Sequence, residues 1–139
     1  LIAVIPDFKL STEMARQVLP EKVSQMDARY NLSRAALFSA SLLQGKYENI
    51  RIAVEDRLHQ PYRMKLIHHA QEVFARAYAL GAYGVYISGA GPTMMAIVDG
   101  GEAGFVSSLR SYLGELQLDG WKIEELSIDN DGTKVETIS

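Results

Sequence analysis

Ser88, Gly89, Ala90, Gly91, Pro92 and Thr93 lie between two short apolar runs, residues 85–87 and 94–98. Glycines at two alternate positions let the backbone take a positive φ and let another surface come close. Pro92 fixes its own φ and removes a donor. A turn of this composition can offer unpaired N–H groups as a concave anion site. The same pattern also describes a plain strand–turn–strand hairpin, so the residues alone leave both readings open. Two commoner phosphate motifs are excluded. No G-x-x-x-x-G-K-[ST] occurs in the chain. Nor does the turn open a helix after a strand and lead to an acidic ribose partner, as a dinucleotide-binding unit requires.

Other groups capable of chemistry are sparse. There is no cysteine, which removes disulfides, thiolate metal sites and cysteine nucleophiles together. His68 and His69 fall within a helical pattern with no carboxylate or cysteine at ligand spacing, so no metal site is expected there. Asp27, Glu55 and Asp56 have the chemistry of general bases, but carboxylates on amphipathic helices ordinarily face solvent. Tyr83 and Tyr86 read as packing residues of a strand.

These groups must be held by a chain of 139 residues, 47% hydrophobic and 22% charged, enough for one globular domain with a real core. A formal net charge of −3 argues against nucleic acid or an anionic membrane as main partner. No apolar run is long enough to span a bilayer and no signal peptide is visible, so a cytoplasmic setting is expected. Leu1-Ile-Ala-Val-Ile5 reads as a buried strand that begins without a polar lead-in, and a piece of a longer protein is the expectation.

Ser11 is a good N-cap for a short helix over residues 12–19, with Glu13 in its first turn and Pro20 ending it. Leu32, Ala36, Ser39 and Leu43 step by four, three and four, marking a helix over 26–44 that stops at Gly45. Tyr47, Ile50, Val54 and Leu58 repeat the pattern in a shorter helix, interrupted by Pro61. A third long helix carries Ile67, Ala70, Phe74, Ala77 and Gly81. After the two strands around the turn comes a helix over 102–116, with Val106, Leu109, Leu113 and Leu116 as its stripe. A strand over 121–128 succeeds it, where a change of parity between Ile123 and Leu126 predicts a bulge at Glu124-Glu125. Asp129-Asn-Asp-Gly132 marks a turn, and residues 133–139 read as a polar strand or frayed tail. This order gives an α+β fold, an antiparallel β-sheet covered on one face by helices, as in ferredoxin-like folds. Neither an internal repeat nor a flexible linker is visible.

Gly84-Val-Tyr-Ile-Ser-Gly-Ala-Gly-Pro-Thr93 followed by an apolar strand resembles the third, C-terminal motif of the GHMP small-molecule kinases. Three further segments, in order and at similar spacing, resemble the homoserine kinase branch of that family. They are Pro6-Asp-Phe-Lys-Leu-Ser-Thr-Glu-Met-Ala-Arg-Gln-Val-Leu-Pro20, Asn31-Leu-Ser-Arg-Ala-Ala36 and Glu55-Asp-Arg-Leu-His-Gln-Pro-Tyr-Arg63. The resemblance covers residues 1–98 and fades beyond them.

That resemblance implies a fold, a reaction and a set of site residues. The whole chain would be the C-terminal, substrate-side domain of such a kinase, with an ATP-binding N-terminal domain outside it. The reaction would move the ATP γ-phosphoryl group to the hydroxyl of L-homoserine, giving O-phospho-L-homoserine for threonine biosynthesis. Arg16 and Arg63 match the arginines that hold the substrate carboxylate. That role suits arginine, whose planar fork grips a carboxylate at two points, although most arginines end in surface ion pairs. Asn31 would line the substrate pocket or tie a helix to a loop. Arg57 and His59 would support Arg63. Ser88, Gly89, Ala90, Gly91 and Thr93 would close over the phosphate end, and valine at 89 or 91 should harm turnover more than folding. ATP and Mg²⁺ would be bound mainly by the N-terminal domain. No catalytic residue is assigned to this half, so the chain alone should be inactive. A homodimer is a further expected partner. Two rival readings are a free-standing ferredoxin-like amino-acid-binding regulatory domain and a half whose role is dimerisation; another GHMP small-molecule kinase is a third.

Overall fold

One sheet sets the position of the glycine-rich turn and of the helices that carry the two arginines. The computed structural model describes residues 1–100 and 104–136. Its strands are β1 (Ile2–Ile5), β2 (Gly84–Ile87), β3 (Met94–Ile97) and β4 (Lys122–Glu125), in the spatial order β2-β3-β1-β4. Every neighbouring pair is antiparallel, which is the ferredoxin-like order. Registers Ile2↔Ala96, Val4↔Met94, Val4↔Ile123 and Ile87↔Met94 place the apolar residues of one parity on a common face.

Two helices cover that face. Ala70, Val73 and Ala77 of α5 (Ala70–Ala79) and Phe105, Leu109 and Leu113 of α6 (Phe105–Glu115) join Ile2, Val4, Val85, Ile87, Met94 and Ile123 in one core. The expected α+β fold, an antiparallel sheet with a helix-covered face, is the architecture observed. At the other face, α3 (Ile50–Ala53) meets edge strand β2 at Gly84. A Cβ there would stand 2.6 Å from Cγ2 of fully buried Ile50, so only glycine allows the approach.

Local signals placed the N-terminal helices well. Ser11 caps α1 (Thr12–Gln17), its Oγ accepting the Met14 N–H at 3.1 Å. Ser24 caps α2 (Gln25–Gln44) in the same way through the Asp27 N–H at 3.0 Å, and Gly45 ends it in the left-handed region. The stripe that marked α2 faces solvent, however, with Leu32 72% and Leu43 89% exposed. The helix packs on α3 through its other side, where Ser41 is buried. Periodicity identifies a helix but does not say which stripe finds a partner within the same chain.

Three boundaries differ from expectation. The helix after Pro61 is broken into α4 (Gln60–Arg63), a 3-10 turn at Met64–Leu66, and α5, because Ile67 is extended and His69 sits at φ 60°. The predicted shorter helix is a 3-10 turn at Tyr47–Asn49 followed by α3. In place of the expected bulge, β4 stops at Glu125, and Leu126 and Ile128 turn to solvent. Residues 102–103 of the predicted α6 and 137–139 of the predicted tail lie outside the described residues, and 133–136 form no regular element.

Candidate functional site

Helix α4 is a single turn, too short to be held by its own hydrogen bonds. Asp56 holds its start. With its side chain only 6% exposed, Asp56 accepts N–H groups from Leu58 and His59, each at 2.9 Å, and a further one from Gln60. Asn31 on α2 donates its Nδ2 to the same carboxylate, and its Oδ1 accepts the Arg57 N–H at 2.9 Å. The Asn31 amide thus ties α2 to the loop before α4, and the same residue lines a cavity beside it. Burial pushes the Asp56 carboxyl up, but the hydrogen bonds from Gln60, Asn31, Leu58 and His59 outweigh it and hold the group below its ordinary value.

This depression makes the fold sensitive to acid. A carboxyl whose folded value is depressed stabilises the fold above its unfolded value, about 3.9 for aspartate. That stabilisation is lost as pH falls through the lower folded value. Asp56→Asn is therefore expected to cost about 1–3 kcal/mol at neutral pH. In urea unfolding, the gap between variant and wild type should shrink below about pH 4. A gap that stayed constant into acid would mean that the Asp56 charge does not hold the segment.

The other acidic candidates are also engaged. Glu55 accepts the Tyr30 hydroxyl and pairs with Arg34 Nη2 at 3.1 Å; those two partners keep its carboxyl below the usual range. Asp27 pairs with Arg57 Nη1 at 3.5 Å and accepts the Ser24 hydroxyl at 2.6 Å. The guanidinium groups of Arg34 and Arg57 lie over the Tyr30 ring, 3.8 and 3.7 Å from its centre. His59 stays within 3.3 Å of Asp56, and His69 is within 3.2 Å of Glu72, a carboxylate that sequence spacing overlooked. Among the described residues no group of three or more such ligands could hold a metal ion. A cavity of about 410 Å³ opens beside this network, lined by Asn31, Arg34, Phe38, Glu55, His59 and Tyr86 among others.

At the other end of α4, Arg63 reaches two elements at once. Its Nε donates to the Ala15 carbonyl of α1 at 3.3 Å, and its Nη1 donates to the Gly89 carbonyl at 2.5 Å. Arg16 follows the fully buried Ala15 and is itself exposed. The fold thus draws Arg16, Arg63 and the glycine-rich turn to one end of the sheet.

That turn is a tight link between β2 and β3. The Ser88 N–H donates to the Thr93 carbonyl at 2.8 Å and the Gly91 N–H to the Ser88 carbonyl at 2.9 Å. Gly89 and Gly91 both have positive φ, 55° and 84°. The N–H groups of Gly89 and Ala90 find no acceptor among the described residues, so they are open to an anion at the tip. A Cβ on Gly91 would press on Ile87 and Ile67 side chains at 3.2 and 3.3 Å, whereas one on Gly89 would meet nothing within 4 Å. Gly91 is needed for packing as well as conformation; Gly89 faces outward.

Sequence reasoning passed over Gln60. It is only 9% exposed, accepts the Ile87 N–H at 2.8 Å through Oε1, and donates Nε2 to the Val54 carbonyl at 3.0 Å. The one signal in the sequence was its place three residues before Arg63, on the same side of a single helical turn.

Comparison with known proteins adds three findings. The family model described as "GHMP kinases C terminal" matches residues 38–112. Among curated proteins, the chain is 48% identical to a homoserine kinase of Clostridium botulinum over 131 residues, covering 94% of this chain and 44% of that protein. It is 48% identical to one of Clostridium beijerinckii over 134 residues (96% and 45%) and 39% identical to one of Caldicellulosiruptor saccharolyticus over 135 residues (96% and 44%). The chain therefore spans a little under half the length of the relatives it matches. A crystal structure of homoserine kinase from Cytophaga hutchinsonii superposes with a TM-score of 0.80 at 23% identity, covering 88% of this chain and 39% of that one, a likeness of fold.

Proposed function

The chain belongs to the GHMP kinases, as their C-terminal domain, and from that premise we propose that it is the acceptor-side half of a homoserine kinase. Such an enzyme transfers the γ-phosphoryl group of ATP to the side-chain hydroxyl of L-homoserine, giving O-phospho-L-homoserine in threonine biosynthesis. One observation carries the reading: Arg63 joins α1, which bears Arg16, to the turn that exposes the Gly89 and Ala90 N–H groups. Cations for an amino-acid carboxylate thus stand next to donors for a phosphate.

In this reading Arg16 and Arg63 bind the homoserine carboxylate, a bidentate task suited to guanidinium. Part of the Arg63 fork already grips Ala15 and Gly89, which fixes its direction before substrate arrives. Ser88, Gly89, Ala90, Gly91 and Thr93 support the phosphate end, where positioning and charge stabilisation supply most of the catalysis in phosphoryl transfer. Asn31 lines the neighbouring cavity with both ends of its amide committed, so it shapes the pocket more than it donates to a ligand. ATP and Mg²⁺ would be held mainly by an N-terminal domain of the same enzyme, where the metal would supply neutralisation of phosphate charge. The setting is cytoplasmic, and a homodimer fits the exposed stripe of α2. No helix among the described residues is long and apolar enough to cross a membrane.

The test is a phosphoryl-transfer assay followed by phosphorus NMR. The full-length protein is expected to convert L-homoserine and ATP to O-phospho-L-homoserine, while the 139-residue chain alone does not. Turnover by the isolated chain would overturn the two-domain reading. Binding of homoserine by the full-length protein without ATP consumption would favour a regulatory amino-acid domain.

A further inference from the structure

Helix α4 is pinned to the β2 end at two points. Gln60, its first residue, accepts the N–H of Ile87, and Arg63, its last, donates to the carbonyl of Gly89 two residues further on. Strand β2 is the edge of the sheet, so the Ile87 N–H has no neighbouring strand on its outer side. The other end of the Gln60 amide holds Val54, at the close of α3. Both ends of a buried side chain are thus spent on main-chain groups of two different elements. The first turn of the helix is held separately, through Asp56. A one-turn helix has little stiffness of its own beyond such anchors.

We propose that Gln60 is a positioning residue: by clamping α4 to β2 it sets the register of the Arg63 guanidinium against the glycine-rich turn. Without it, a one-turn helix can rock about its Asp56 end, and the Arg63 fork loses its fixed aim between Ala15, Gly89 and the acceptor. The kinetic consequence rests on the homoserine kinase reading; the structural consequence does not.

Two arms test it in the full-length protein. In the first, Gln60→Met, which keeps length but removes both hydrogen bonds, is expected to raise the KM for L-homoserine about tenfold and leave the KM for ATP within about twofold. On an Arg63→Ala background the same change should add less than about twofold, because Gln60 acts through Arg63. Gln60→Glu keeps the acceptor for Ile87 but sets a carboxylate oxygen against the Val54 carbonyl, so it should restore only part of the loss; should Gln60→Met fail to fold, Gln60→Asn, one methylene short of both partners, takes its place. In the second arm, NMR tracks exchange of the Arg63 Nε hydrogen without substrate. Faster exchange by about tenfold in Gln60→Met is expected, with an intermediate rate in Gln60→Glu, which keeps the Ile87 bond and loses the Val54 one. Equal KM losses with and without Arg63, or unchanged Arg63 exchange, would leave Gln60 as a mere cap on an edge strand. If the wild-type protein does not phosphorylate homoserine, the proposed function fails and the exchange arm decides the role of Gln60 by itself.

Discussion

Arg63→Ala in the full-length enzyme is expected to raise the KM for L-homoserine by about 30-fold or more while leaving the KM for ATP nearly unchanged. Removing one partner of a hydrogen-bonded charge pair costs about 2–5 kcal/mol when the other charge is left without its match. Arg63 also donates to Ala15 and Gly89, so its loss loosens the joint between α1 and the turn and some stability goes with it. Arg63→Lys should recover only part of the loss, since an ammonium is a point charge without the fork. Arg16→Ala is the cleaner partner experiment. Its side chain is exposed, so stability should move by no more than about 0.5 kcal/mol while the homoserine KM still rises. If both arginines grip one carboxylate, the double variant should lose less than the sum. A KM for ATP that rose in step with that for homoserine would place these arginines elsewhere in the mechanism.

Valine at the two glycines of the turn should behave in two different ways. Gly91→Val forces a β-branched residue to φ 84° and drives its Cβ against Ile87 and Ile67. Strain of about 1–3 kcal/mol is joined by overpacking of about 1–3 kcal/mol, so this variant should melt well below wild type. Gly89→Val meets open space and carries the conformational cost alone, about 1–2 kcal/mol. Its side chain stands at the tip where the Gly89 and Ala90 N–H groups are free, so kcat should fall far more than the unfolded fraction explains. The sequence-based expectation grouped both glycines as functional; the structure separates Gly91, which the core also needs. Parallel thermal melts and kcat values decide it. Activity of Gly89→Val that merely tracked its folded fraction would make the turn a structural hairpin.

The strands were legible because Ile2, Val4, Val85, Ile87, Met94 and Ala96 are apolar in short runs bounded by turn residues, and a sheet buries such runs wherever they fall. Capping at Ser11 was legible too, since its hydroxyl acts within three residues of itself. Features that depend on distant partners were not. The exposed stripe of α2 has the same spacing as a buried one. Nothing local announces the break at His69, where neither glycine nor proline stands. At the candidate site, Arg16, Arg63 and the glycine turn were singled out through motif wording, and the fold brings them to one end of the sheet. Gln60 bonds to a group 27 residues away and Asn31 to one 25 away, links that leave no periodic trace. Asp56 looked like any helix carboxylate until its N–H partners were placed.

The role assigned to Arg16 and Arg63 is tested most directly by comparing L-homoserine with its carboxamide as phosphoryl acceptors, in wild type and in Arg16→Ala. The wild-type enzyme should prefer the carboxylate by about 30-fold or more in kcat/KM, and Arg16→Ala should lose most of that preference while turning over the amide much as wild type does. An Arg16→Ala enzyme that lost activity equally on both acceptors would contradict it: the arginine would then not read the carboxylate, and this end of the sheet would not be the acceptor site.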